Sequence, residues 1–555
     1  MEDTVRIFTA EKIITMYPEQ PLATAVAVKE GKILATGEVE ELEYWIRRSA
    51  FPDYTIDDQF REMVLMPGLV DAHTHVELQG FIYSGEFLAQ IPWPDPKGGF
   101  FPVYPGKEDV LDRLKDLDKA LPPDQPIYGV AYDENKAGTL SLEDLDPISP
   151  TRPILISNLV FHRFWANSAL LEKAGITPGN LPAGVMADGE GHPDGTLIES
   201  DGLMAVLPAL PELFGDLETK ISRILPLFTR AGNTTVCDAA LGAFGLDFSL
   251  DLMGRVFKQQ ANSLRMVGLP WTPKAMSDGM DVQAFIEAVQ KAGALETDNF
   301  RIGAAKLYTD GSLISKTAPA EWPGYWDGTP QGHMACDPET VTEWIIELHK
   351  TGIPTVTHTN TSLGCQLVLD AVEQAQALCF RPDIRHRMDH CYTITEAQLC
   401  RAKALGVCVQ FFTPQLHYYG ESHLRLLGPG RAPHLTPVGT ARRLGVSWGF
   451  HNDPPGTPQL PWTGAHAVIS RLTRDSQTLM GGAHCVPVDE VLRAMTIDAA
   501  FQMHLDHEIG SIVPGKRADF CVLEKDPLTM DPKQIKYMPV WGTVFGGTPQ
   551  KSVGN

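Results

Sequence analysis

The chain of 555 residues is long enough for one large domain with insertions or for two or three smaller ones. A hydrophobic share of 43% and a charged share of 21% are ordinary globular values and exclude a disordered or fibrous protein. Acidic residues outnumber basic ones, 69 to 46; the net charge of −23 argues against nucleic acid and anionic membranes as partners and slightly favours a neutral or cationic small-molecule substrate.

From the N-terminus, acids precede any apolar run in MEDTVRIFTAEKIITMY, and no stretch of about 20 uncharged apolar residues follows. The chain therefore reads as cytoplasmic, neither secreted nor membrane-spanning. The runs VRIFTA, KIITMY and ATAVAV-KEG-KILATG are short strands, the last two forming a hairpin that turns at Glu30-Gly31. ADFCVLEKDP and VWGTVFGG, near the C-terminus, have the same texture. We expect a small β-sandwich domain built from both termini, residues 1–63 and 506–555, around an α/β body at 64–505.

Within the body, eight apolar runs bounded by turn residues follow in order: VLMPGLVDA, TTVCDAA, RMVGL, RIGAAKLY, IPTVTH, RHRMDH, GVCVQFF and VSWGF. Eight is the number that makes a (β/α)8 TIM-type barrel, with helices such as PETVTEWIIELHKTG and TEAQLCRAKALG between strands. ILISNLVF (154–161) is an equally good strand; it falls in a long insertion after the first barrel strand, about 76–225. Nine cysteines lie scattered without a CxxC pair, which argues against a disulfide framework; Cys391, beside His390, is the candidate for a reactive thiol, with a small buried side chain as the plainer reading.

In such a barrel the functional residues sit at the C-terminal ends of the strands. There the first run ends in His73-Thr-His75, two imidazoles on alternate residues that face one way. The fourth carries Lys306, followed by Asp310; the fifth ends on His358, the sixth on His390, and the eighth leads to Asp453. Imidazoles and a carboxylate suit Zn²⁺ or a neighbouring first-row metal, which lowers the pKa of water and polarises a carbonyl. Each residue also has a plain reading: histidines satisfy core hydrogen bonds, Lys306 pairs with an acid, and Asp453 caps a turn before Pro454-Pro455. The joint pattern favours one shared site.

The order HxH, Lys, His, His, Asp resembles the amidohydrolase superfamily of metal-dependent hydrolases. KLYTDGSLISKTA (306–318), NSALL (167–171), RMDH (387–390), NDPP (452–455) and GSIVPGKRADFCVLEKDP (510–527) resemble the branch containing N-substituted formamide deformylases. The resemblance implies that His73, His75 and Asp453 bind one divalent ion and His358 and His390 a second, with Lys306 N-carboxylated between them. It also makes Asp453 the general base that passes a proton to the leaving amine. His162, in VFHRFWANSALL, matches a histidine that the branch places near the substrate. Two departures stand out: His358 is followed by TNTSLG where a small-residue, Gly-Asp sequence is usual, and Asn452, preceded by His451, stands where Ser is usual.

The aromatic and proline-rich loops at 80–106, 321–328 and 411–423 are expected to shape an apolar pocket for an aryl- or alkyl-substituted amide. The expected function is hydrolysis of a C–N bond, an amide or cyclic amide, by a homodimer or higher homo-oligomer that binds one or two Zn-type ions per chain. The alternatives are a mononuclear deaminase or a non-hydrolytic, decarboxylase-type member of the same fold, and a metal-free ligand-binding protein.

Overall fold

A computed structural model describes residues 4–49, 53–258 and 264–552. Both ends of the chain enter one seven-stranded mixed sheet. Its order is Thr548–Lys551, Val540–Phe545, Phe520–Leu523, Tyr54–Pro67, Val5–Ile14, Leu22–Lys29 and Lys32–Gly37. The last two form the expected hairpin, with Glu30 and Gly31 both left-handed (φ 51° and 72°), as a two-residue turn between twisted strands requires. The ladders run through as one hydrogen-bonded order, and its arms fold over a shared core in which Phe8 meets Phe520 (6.5 Å) and Phe60 meets Trp541 (5.0 Å) across non-adjacent strands. The 14-residue strand Tyr54–Pro67 is the reason: it pairs in parallel with Val5–Ile14 and, at its far end, antiparallel with Phe520–Leu523, so it bridges the two termini.

Side chains alternate across this sheet as its pleat demands. Phe8, Phe60, Phe520, Val522 and Val544 pack on one face, while Val5, Ile7 and Ala25 on the other cover Leu42 and Ile46 of the helix Val39–Arg48.

The stretch 64–72, one strand in the sequence, is two. Val64–Pro67 completes the terminal sheet, and Leu69–Thr74 (β1) starts the body. The turn between them needs Gly68: a Cβ there would lie 2.0 Å from Thr234 Oγ1, on a stiff β-branched side chain. After β1 come Asn233–Leu241 (β2), Arg265–Pro270 (β3), β4 in two parts (Phe300–Ile302 and Ala305–Tyr308), Thr355–Thr359 (β5), Arg387–His390 (β6), Cys408–Phe412 (β7) and Trp448–His451 (β8).

These eight runs make two all-parallel sheets, one from β1 to the first part of β4 and one from the second part of β4 to β8. The interruption in β4 falls at Gly303 and Ala304, and β8 lies against β1. Strands covered by helices on one side and facing a packed interior on the other are buried along their length, which is why they read as unbroken apolar runs. The helix before β5, Pro338–Thr351, is capped by Asp337 and ended by left-handed Gly352; the helix before β7, Glu396–Leu405, has a Thr395–Gln398 capping box and ends at left-handed Gly406.

Between β1 and β2 an insertion carries its own six-stranded sheet, which contains Ile154–Asn158 as expected. Its aromatics pack on one another rather than on a pocket. Phe87 stacks on Phe101 at 4.3 Å, and Trp93 and Tyr83 lie at 5.5 and 4.7 Å from Phe87. Phe81, Phe87 and Trp93 are therefore core of the insertion, a correction to the pocket role expected of these aromatics, while Phe100 and Val103 are exposed.

One buried polar chain ties β5 and β6 to the helix behind them. His349 Nε2 donates to Cys379 O (2.6 Å) and its Nδ1 accepts from His386 Nε2 (2.8 Å); His386 Nδ1 accepts from Thr355 N (3.0 Å). Burial, helped by His349, pushes His386 down to about 3. Below its ordinary value of about 6.5 the unfolded chain takes up this proton and the folded chain does not, so stability held above pH 6.5 is lost as pH falls towards 3. Urea unfolding at pH 6.5 and 5.5 should show the wild type losing about 1 kcal/mol more than His386→Asn across that unit.

Candidate metal centre

The ends of β1, β6 and β8 converge. His73 leaves β1 with Nε2 3.2 Å from Asp453 Oδ1, and His75 Nε2 reaches the same oxygen at 3.1 Å. His390 Nδ1 lies 3.8 Å from Asp453 Oδ2. The two residues that bring β6 and β8 into the site, His390 and Asp453, are left-handed (φ 76° and 50°), a strain of about 1–3 kcal/mol each that surrounding structure must hold. Burial alone would raise Asp453, but His73, His75 and His390 beside it hold it well below the usual carboxylate range. Burial pushes His75, His390 and His358 down, so the imidazoles are neutral.

Around this group sits a buried support that sequence reading missed. Asp389 Oδ2 accepts from His73 Nδ1 at 2.5 Å, which leaves His73 Nε2 facing the centre. Arg387 holds that carboxylate with Nε to Oδ1 (2.7 Å) and Nη2 to Oδ2 (3.1 Å), and also donates to Ala72 O (2.8 Å) in β1. Both residues stand in the RMDH motif, but only His390 was read as functional. Burial opposes the charge on Asp389, yet Arg387, His73 and Lys306 keep it well below its usual range.

His358 is less directly joined. Its ring lies 4.4 Å from His390 and stacks on Tyr308 at 3.9 Å. Asn360, in the unusual TNTSLG stretch, donates Nδ2 to Gly311 O (2.6 Å) and to His358 Nε2 (3.0 Å), leaving Nδ1 as the ring's open atom. Asp310 accepts from the backbone of Asn360 and Thr361, both at 2.8 Å, and so orients the turn after β5. Lys306 is buried; its Nζ lies 3.8 Å from Asp389 Oδ2, and it interacts electrostatically with Asp453, His75 and His358.

His162 comes from the insertion and reaches the rim, 6.5 Å from the ring of His358. Its Nδ1 is bonded to Glu199 Oε2 at 2.7 Å, an acid that sequence reading did not single out. Burial would lower His162, but Glu199 raises it, so the imidazole holds a proton more readily than an ordinary one. Of the expected aromatics, those near the centre are Phe412, stacked on His451 at 5.6 Å, and, outside the loops read for this role, Tyr308 and Tyr392. Trp322 is 92% exposed. Cys391 is fully buried and burial raises its thiol well above the usual range, which removes it as a nucleophile.

A model described as the amidohydrolase family matches residues 61–549. The chain belongs to that family. This is the family to which the strand-end pattern pointed. The amidohydrolase is 25% identical over 548 residues to the protein YtcJ of Bacillus subtilis, covering 96% of this chain and 97% of YtcJ. It is likewise 25% identical over 543 residues to the N-substituted formamide deformylase of Arthrobacter pascens, covering 95% and 94%. In fold it resembles an uncharacterized metal-dependent hydrolase of Pyrococcus horikoshii, with a TM-score of 0.71 and 19% identity over 95% of this chain and 99% of that one.

The residues of this amidohydrolase fit a divalent cation. His73 Nε2 faces Asp453 yet is buried with no hydrogen-bond partner among the described residues, a costly arrangement that a cation would relieve. Imidazole and carboxylate are the donors that Zn²⁺ and its neighbours take. A cavity of about 710 Å³ lies at the other ends of the strands, lined by Gly303, Ala304, Pro354, Arg385 and Arg387, and the Arg387–Asp389 pair separates it from this centre. No helix of the described residues is long and apolar enough to cross a membrane.

Proposed function

We propose that the protein hydrolyses a C–N bond of a small substrate, an amide or cyclic amide, in a metal-dependent reaction. The observation that carries this reading is the convergence of His73 Nε2 and His75 Nε2 on one oxygen of Asp453, at 3.2 and 3.1 Å. His73, His75 and Asp453 would hold one divalent ion, and His358 and His390 are available to a second, with Lys306 N-carboxylated between them. When bound, such an ion supplies Lewis acidity and makes water acidic enough to ionise near neutral pH.

The chain's own residues account for the rest. Asp453 takes a proton from the attacking water at its carboxylate and gives it to the leaving nitrogen. His162, fixed through Nδ1 by Glu199, presents Nε2 to the substrate carbonyl and donates to the oxygen as charge develops there. Tyr308, Tyr392 and Phe412 supply apolar walls suited to an aryl or alkyl substituent.

A one-ion form of the fold, serving deamination or a non-hydrolytic reaction, is the second reading. The 3.8 Å approach of Lys306 to Asp389 favours it, since that carboxylate gives an uncarboxylated amine a partner, even though burial lowers the amine's hold on its proton. Metal analysis joined to a hydrolysis screen over formamides, anilides, lactams and N-acyl amines tests the proposal. Turnover of at least one class, abolished by a chelator and restored by Zn²⁺, is expected. A uniformly negative screen on metal-loaded protein overturns it, and the metal ratio with the intact mass of native protein then tells whether Lys306 is carboxylated.

A further inference from the structure

His451 is the last residue of β8, two before Asp453, and the family resemblance gives it no role. It is 1% exposed. Its ring stacks on His73 at 4.5 Å and 20°, so the two imidazoles, from neighbouring strands, present their edges in one direction. Its Nε2 lies 3.0 Å from His390 Nδ1. Together, one ligand atom from each of His73, His390, His451 and Asp453 fall within 4.8 Å of one another; His390 Nδ1 and His451 Nε2 are 3.0 Å apart, and the two oxygens of Asp453 lie 3.2 Å from His73 Nε2 and 3.8 Å from His390 Nδ1. Ligand atoms at the corners of a tetrahedral zinc site, with bonds of about 2.0–2.2 Å, stand about 3.3 Å apart. The four side chains are thus close enough to converge on one ion.

We propose that His451 is itself a metal ligand, completing with His73, His390 and Asp453 a four-donor set that binds one ion. The proposal rests on the metal-dependent reading above and changes its ligand set rather than its reaction. The simpler account, a hydrogen bond between His390 and His451, needs one shared proton and explains only two of the ring nitrogens. It leaves His73 Nε2, which faces Asp453, buried without a partner among the described residues. Coordination uses His73 Nε2, His390 Nδ1 and His451 Nε2 at once, and Asp389 already sets His73 in the tautomer that this requires. It also gives a physical reason for the sequence HNDPP: with His451 on the same side as Asp453, β8 contributes two donors where one was expected.

Co²⁺ loaded into chelator-stripped full-length protein reads the coordination shell directly, through its visible d–d absorption, without any substrate. His451→Phe keeps the ring packed between His73 and Phe412 but removes the donor. We expect its Co²⁺ spectrum to change and its Co²⁺ affinity to fall at least tenfold, while His451→Gln fails to restore the spectrum. An unchanged spectrum in His451→Phe, or full recovery in His451→Gln, overturns the proposal and leaves His451 a positioning residue acting through His390. If His451→Phe does not fold, X-ray absorption of Zn-loaded His75→Ala protein decides instead: three imidazoles per ion are expected, and two or fewer overturn it. Wild-type protein that binds neither Co²⁺ nor Zn²⁺ overturns the metal-dependent reading itself, a result distinct from failure of the His451 assignment alone.

Discussion

Asp453→Asn is expected to lower kcat by about 10²–10⁴-fold, the range that a positioned general base contributes, on whichever amide the screen identifies. The substitution is nearly isosteric. Its amide can still meet His73 and His75 near 3 Å, but it has no lone negative charge to take a proton from water. Metal should stay largely in place, because His73, His75 and His390 keep their positions and Asp389 continues to orient His73. The discriminating measurement is therefore the pair of numbers, turnover and metal content, taken on the same preparation. Activity retained at more than a tenth of wild type would remove Asp453 as the base, whereas loss of metal together with activity would make it a ligand alone.

Arg387→Met should destabilise the apo protein by about 3–5 kcal/mol, read as a shift in the urea midpoint. Arg387 is 1% exposed, and its guanidinium supplies two of the hydrogen bonds to Asp389 and a third to Ala72 O. Without it a buried carboxylate keeps only His73 Nδ1 at 2.5 Å and Lys306 at 3.8 Å. The loss comes mainly from the charge left behind, so Arg387→Met combined with Asp389→Leu should recover much of the stability. Metal affinity should not recover with it. His73 would then lack the acceptor that fixes its tautomer, and competition with a chelator should show affinity about 10–100-fold below wild type. Recovery of both quantities in the double variant would mean that the pair serves only the fold.

The halves of this account that were legible from sequence share a property: each depends on residues close together in the chain. The two-residue spacing of His73 and His75 places them on one side of a strand whatever the strand packs against. Turn chemistry at Glu30-Gly31 and the caps Asp337 and Thr395 are equally local. His451 and Asp453 have the same two-residue spacing as His73 and His75, so the spacing that marks the first pair marks the second as well. Asp389 and Glu199 carried no such mark. Their importance lies in partners 316 and 37 residues away, His73 and His162.

Aromatic content was the least informative signal. Phe87, Phe101 and Trp93 look the same in composition whether they line a pocket or fill a core, and here they meet one another. The sequence by itself determined the alternation of strands and helices, the family, and which residue types stand at the strand ends, because those follow from periodicity and short-range spacing. Only the tertiary structure decided that the two termini share a single sheet and that the 64–72 stretch breaks at Gly68. It alone showed Lys306 Nζ near Asp389 and His451 packed beside His73 and His390. Those outcomes depend on which strands become neighbours and which side chains can then approach within a few ångströms, and chain spacing carries no information about either.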